Sequence, residues 1–303
     1  MTKPTLSNRP FLRRMGMRLT FSLVWLLFQT VRRCSFARAS RWGGRVGSFI
    51  GPRLTSLNRR ARQNLTQAFP EKSGDEIEVI IQGMWRNFGR SIFEFMVMDR
   101  FDIFDDNGPV TVYGREHLDA VNETGGLLFS GHIANWEVMP KALCEAGLNP
   151  IFTYRAANNP LLEDLIQRHR ARYMGTNMVP KGAKGARSVL KALKSNQVIA
   201  MLVDQKMNNG ISIPLFGRDA MTAPALAKLA LKSGKPVVGV QIRRLDDDSR
   251  FEVHCEPPFT WHSTGDNAAD VLAAMTQMNA KLEQWISQNP EQWFWIHNRW
   301  PTQ

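Results

Sequence analysis

Gly125-Gly126-Leu127-Leu128-Phe129-Ser130-Gly131-His132-Ile133-Ala134-Asn135-Trp136-Glu137 is the stretch on which the reading of this chain turns. An apolar triplet opened by two glycines has the form of a short buried strand. Gly131 permits a sharp turn, and a helix is predicted from about 135 to 146. The same alternation continues downstream. Strands are predicted at 151–154, around 179, at 198–203, 236–242 and 251–255. Helices are predicted at 160–174, 185–194, 223–231 and 267–288. Strands alternating with helices imply an α/β fold, with a mostly parallel mixed sheet wrapped by helices. In such sheets polar residues just past the strand ends are the usual place for chemistry. His132 follows one strand end, and Asp204-Gln205 follows the strongest strand.

Upstream, Ile77, Ile80, Ile81, Met84, Trp85, Phe88, Ile92, Phe95 and Met96 recur at spacings of three and four. That spacing predicts an amphipathic helix over 75–100. Ser73 with Glu76 three residues on fits a capping box at its start. Residues 53–70 are polar and basic.

Charge is distributed unevenly. The chain has 303 residues and a net charge of +12, yet residues 1–70 hold 14 Lys or Arg and no acid. Residues 71–303 hold 25 basic and 27 acidic residues. The whole excess therefore sits on the N-terminal segment, which is suited to a polyanion. Within it, residues 19–31 are mostly apolar and flanked by arginines on both sides. Thirteen helical residues reach about 20 Å, short of the roughly 30 Å hydrocarbon core. Residues 1–50 are accordingly expected to form a helical anchor lying in or dipping into an anionic leaflet, with 51–303 as a single α/β domain. An apolar block of this kind, with no nucleic-acid motif, argues against nucleic acid as the partner.

Several classes are excluded. Cys34, Cys144 and Cys255 have neither disulfide nor zinc spacing. The six histidines are scattered, so no metal is expected. Phosphate-loop, dinucleotide and Gly-x-Ser-x-Gly motifs are missing.

His132 and Glu137 remain as candidate chemistry. Residues five apart do not share a helix face. The two can meet only if His132 lies in the turn and Glu137 in the first turn of the following helix. A carboxylate on one ring nitrogen would fix the tautomer and leave the other nitrogen free to take a proton. Alternatively, His132 caps the helix and Glu137 is a first-turn acid favoured by the helix dipole.

In its surroundings this His-x4-Glu resembles the signature of glycerolipid-type acyltransferases, and one branch in particular: the bacterial lipid A biosynthesis late acyltransferases. The matching pieces include Asn64-Leu65, Phe69-Pro70, Trp85 to Arg90 with Glu94, and Tyr154-Arg155 with Asn159-Pro160. Further on come Pro180-Lys181-Gly182, Asp204-Gln205-Lys206, Ile213 to Gly217 and Pro290 to Trp300. The resemblance implies transfer of a fatty acyl group from an acyl carrier protein or coenzyme A thioester to a hydroxyl of a lipid A precursor. The place would be the cytoplasmic face of the inner membrane, with no cofactor beyond the thioester. His132 would be the general base and Glu137 would orient it. Arg155 would meet a phosphate or the oxyanion, Lys181 and Lys206 would meet phosphate, and Asp204 and Gln205 would position the acceptor. Another glycolipid or a lysophospholipid is the alternative acceptor. Leu215-Phe216 stands where relatives often carry two phenylalanines, which bears on the shape of the acyl pocket.

Overall fold

The computed structural model describes residues 10–245, 249–259, 261 and 263–300. The first nine residues of the expected anchor and His262 lie outside them. Helices α1 (Phe11–Val31), α2 (Phe36–Ile50), α3 (Thr55–Ala68) and α4 (Gly74–Phe95) come before the sheet. Then follow β1 (Val110–Tyr113), α5 (Arg115–Thr124), β2 (Leu127–Ser130), α6 (Val138–Glu145), β3 (Ile151–Tyr154), α7 (Pro160–Arg170), β4 (Met178–Pro180), α8 (Ala183–Lys194) and β5 (Ile199–Leu202). The rest are β6 (Lys206–Leu215), β7 (Arg218–Thr222), α9 (Ala225–Ser233), β8 (Val237–Leu245), β9 (Arg250–Cys255) and α10 (Asn267–Gln288).

Seven strands form one sheet in the order β1-β9-β8-β2-β5-β3-β4. Neighbours are parallel except β8 and β9. This is the expected mixed, mostly parallel α/β sheet. β2 is buried at all four residues, as a central strand covered on both faces must be. Phe129 stacks on Trp285 of α10 on one of those faces.

The hairpin β6–β7 was not expected. Pro214 interrupts its apolar run, and proline within a run argues against a strand. Phe216 and Gly217, with φ of 51° and 66°, make the two-residue turn between paired Leu215 and Arg218. Two consecutive positive φ values are what a type I′ hairpin turn needs. The helix after His132 begins at Val138, three residues later than predicted. α4 starts at the expected capping box, in which Ser73 and Glu76 bond each other's backbone N–H, and ends at Phe95.

α2 packs on α4 through small residues. A Cβ on Gly43 would lie 2.3 Å from the Gly89 carbonyl oxygen, and one on Gly47 would lie 2.1 Å from that of Trp85. Only glycine allows the two backbones this close. The C-terminal end of α1 is docked as well: Phe28 and Val31 join Cys34, Ala39, Phe93, Met96 and Val97 in a small apolar cluster. The rest of α1 exposes Phe11, Leu12, Leu19, Leu23 and Leu26. Among the described residues no helix is long and apolar enough to cross a membrane. α1 has the length, but Arg13, Arg14 and Arg18 break its apolar run.

Candidate active site

The site is built by strand register. β2 and β5 pair in parallel with Ser130 opposite Leu202. Two residues beyond each strand end, His132 stands opposite Asp204. The backbone ladder continues through Val203 N–H to the Ser130 carbonyl at 3.0 Å. Asp204 then accepts from the His132 backbone N–H at 2.8 Å and lies 2.7 Å from its Nδ1. Its Oδ2 also accepts from Trp293 Nε1 at 2.9 Å. Burial alone would raise the Asp204 carboxyl, but the facing His132 and these hydrogen bonds hold it well below the usual carboxylate range. A carboxylate at Nδ1 fixes the tautomer with the proton on Nδ1, so Nε2 carries the lone pair. Gln205 Nε2 sits 3.2 Å from that Nε2.

This corrects the expected pairing of His132 with Glu137. Glu137 stands just before α6, makes no side-chain bond to the helix end, and points to another partner set. Its carboxylate takes a two-pronged contact from Arg170, through Nε at 3.1 Å and through Nη2, and accepts from Tyr173 Oη at 2.8 Å. Burial would lower the Arg170 guanidinium, but Glu137 raises it. Burial together with Glu137 pushes the Tyr173 phenol well above its ordinary value, so it remains a neutral donor. The physical reason is the turn itself. Ala134 adopts a left-handed conformation, φ 51°, which turns the chain between the two residues. Asp204 had been expected to position the acceptor; it holds His132 instead.

His132 and Glu137 still share one cleft of about 230 Å³, whose walls include Trp136, Tyr154, Arg170 and Gln205. Arg155 and Lys181 also line it, so both are placed to face a ligand. Lys206 does not line this cleft. It borders an adjoining, mostly apolar cavity of about 640 Å³ between α8 and α9, walled by Val189, Leu190, Leu226 and Leu229. The two spaces share Thr153, Lys181, Leu202 and Gln205. The larger has the size and lining of an apolar ligand pocket.

Sequence reasoning missed Arg170, Tyr173 and Trp293 as parts of the site. Arg170 and Tyr173 fall inside the helix predicted at 160–174, and no spacing links them to Glu137. Trp293, Trp295 and Trp300 are all buried, and Trp293 additionally bonds Asp204. Among the described residues no group of His, Cys, Asp and Glu could hold a metal ion.

Comparison with known proteins gives the site a context. Residues 9–302 match the family described as bacterial lipid A biosynthesis acyltransferase. The chain is 28% identical over 272 residues to the lipid A biosynthesis palmitoleoyltransferase of Escherichia coli K12, covering 86% of this chain and 84% of the relative. It is 28% identical over 279 residues to the lipid A biosynthesis lauroyltransferase of the same organism, covering 85% of each. A lipid A biosynthesis acyltransferase of Haemophilus influenzae is 26% identical over 259 residues, or 84% of this chain and 79% of the relative.

Proposed function

Since the chain belongs to the bacterial lipid A biosynthesis acyltransferase family and is an acyltransferase, we propose that His132, oriented by Asp204, is the base that activates a hydroxyl of a lipid A precursor toward a fatty acyl thioester. The observation that carries this reading is the 2.7 Å contact between His132 Nδ1 and Asp204 Oδ1, which leaves Nε2 facing a cleft continuous in its lining with an apolar cavity. The acceptor hydroxyl takes over the hydrogen bond that Gln205 makes to Nε2 and gives its proton to that nitrogen. The hydroxyl oxygen forms a bond to the thioester carbon, and the carbonyl becomes an oxyanion. Arg155 and Lys181, at the cleft wall, are the cations available to stabilise it or to meet an acceptor phosphate. When the oxyanion collapses, the carbon–sulfur bond breaks and the thiolate takes the proton from the imidazolium. Asp204 stays ionised and balances the imidazolium in between. Glu137 holds Arg170 in place along the same cleft, with the buried Tyr173 hydroxyl as its second donor.

The apolar cavity takes the fatty chain in this reading. The donor is an acyl carrier protein thioester rather than coenzyme A. Residues 181–235, which enclose the cavity, carry ten Lys or Arg against two acids, and α8 and α9 contain no acid at all. Such a surface complements an acidic protein. The enzyme works at the inner membrane, on its cytoplasmic face. The exposed leucines of α1 and the acid-free first 70 residues support attachment to a surface of anionic lipid. No additional cofactor is needed for the chemistry.

A purified-enzyme assay tests the reading. Acyl carrier protein and coenzyme A thioesters are each offered with a tetraacylated lipid A precursor, and products are read by mass spectrometry. His132→Ala is expected to abolish transfer while remaining folded. Near-normal turnover by that variant rejects the base. Transfer only to a lysophospholipid or another glycolipid rejects the acceptor.

A further inference from the structure

The conformation of Ala134 is unfavourable for an alanine, yet both catalytic-loop residues depend on it. With φ at 51° it sits in the left-handed region that favours glycine. It is fully buried, so no solvent contact compensates. Something must hold it there, and the surrounding hydrogen bonds form a closed ring. The Ala134 carbonyl accepts from Ser91 Oγ at 2.9 Å and from Asn87 Nδ2 at 3.2 Å. Its N–H donates to the Gln292 carbonyl at 2.8 Å. The next residue, Asn135, donates from Nδ2 to Glu94 Oε2 at 2.8 Å.

At the centre of the ring lies a buried ion pair. Arg244 Nη1 and Nη2 donate to the two oxygens of Glu94 at 2.5 and 2.8 Å. Arg244 Nε donates to Asn87 Oδ1 at 2.9 Å, which aims the Asn87 amide at Ala134. Gln292 is locked by a reciprocal pair of bonds to the Arg244 backbone, each 2.9 Å. Ser40 Oγ donates to Glu94 from α2. Burial alone would raise the Glu94 carboxyl, but Arg244, Ser40 and Asn135 hold it ionised. Glu94 and Arg244 touch neither the cleft nor each other's sequence neighbourhood; they come from α4 and β8. Through Asn87, Gln292 and Asn135 their bonds reach Ala134 and Asn135, two of the four residues between His132 and Glu137.

We propose that Glu94 and Arg244 are positioning residues for the reaction: their ion pair forces Ala134 into its left-handed turn and thereby fixes the separation of His132 and Glu137 across the cleft. This rests on the reading of His132 as the base. A buried ion pair is weak support for stability as such, because desolvation offsets its attraction. Holding a strained backbone for chemistry is a use that survives that objection.

The test uses the full-length enzyme. Glu94→Gln/Arg244→Gln removes both charges together, so neither is left alone in the core. The double variant is expected to fold and to lose kcat by about 10²-fold, with the KM for the acyl thioester little changed, as expected of a displaced catalytic loop. Adding Ala134→Gly, which adopts the left-handed turn without cost, is expected to restore most of the lost kcat. A purely structural role would lower thermal stability and would not be rescued at Ala134. Ser91→Ala leaves the ion pair intact and removes one bond to Ala134, so it carries the same rescue reading if the double variant does not fold. Unchanged kcat in a folded variant, or failure of Ala134→Gly to restore it, overturns the proposal. Loss of activity in His132→Ala, measured beside these, separates this failure from failure of the base assignment.

Discussion

His132 Nδ1 lies 2.7 Å from Asp204 Oδ1, across 72 residues of chain, because parallel β2 and β5 end in register. The carboxylate that orients the imidazole therefore comes from the neighbouring strand and not from the helix that follows the histidine. Asp204→Asn keeps the shape but removes the negative charge that balances the imidazolium. Activity is expected to fall by about 10³- to 10⁴-fold in kcat, more than for Gln205→Ala. Steady-state kinetics on the two variants check this; equal effects would remove Asp204 from its special role.

The same carboxylate sets a pH dependence of stability. Its folded value lies below the roughly 3.9 of an unfolded aspartate. The stabilisation is therefore present above pH of about 4 and is lost as pH falls through the folded value. Denaturant midpoints measured from pH 6 downward are expected to decline in the wild type below about pH 5. Asp204→Asn should decline less steeply over that window, and parallel curves for the two proteins would contradict the assignment.

Glu137 and Arg170 form a mostly buried pair, with side chains 7% and 19% exposed. Glu137→Ala leaves the guanidinium without its carboxylate and is expected to cost about 3 kcal/mol or more of stability. Adding Arg170→Ala should recover part of that loss, and a thermodynamic cycle on the two positions measures the coupling. Additive losses would show that the contact contributes nothing.

The α2–α4 contact tolerates no Cβ. Gly89→Ala would place one 2.2 Å from the Gly43 carbonyl oxygen, so a loss of about 1–3 kcal/mol is expected. Gly16→Ala in α1 meets nothing within 4 Å and should add about 0.5–1 kcal/mol of helix stability. Urea titration of both variants gives the comparison.

Leu229→Trp narrows the apolar cavity between α8 and α9. The preference among acyl donors is expected to move to shorter chains. Each methylene that no longer fits forfeits about 0.8 kcal/mol, or roughly fourfold in kcat/KM. Competition between donors of different length in one reaction reads the shift directly. An unaltered chain profile would place the fatty chain elsewhere.

The capping box at Ser73, the amphipathic face of α4, the α10 boundaries and the alternation of strands and helices were all legible in the sequence, because each is a local pattern with a local physical cause. So was the location of His132 at a strand end, since a short buried run followed by glycine has few other readings. The hairpin β6–β7 was hidden by Pro214, whose missing N–H mattered less at that position than the pattern implied. The partner of His132 could not be read at all. Local periodicity identifies strands but does not state which strands lie side by side, and that adjacency alone places Asp204 against the imidazole and gives Glu137 to Arg170 and Tyr173. The left-handed Ala134, and the Glu94–Arg244 pair beneath it, belong to the same class. They exist only once four separate segments are packed, because a buried charge is stable only where folding has already brought its counter-charge.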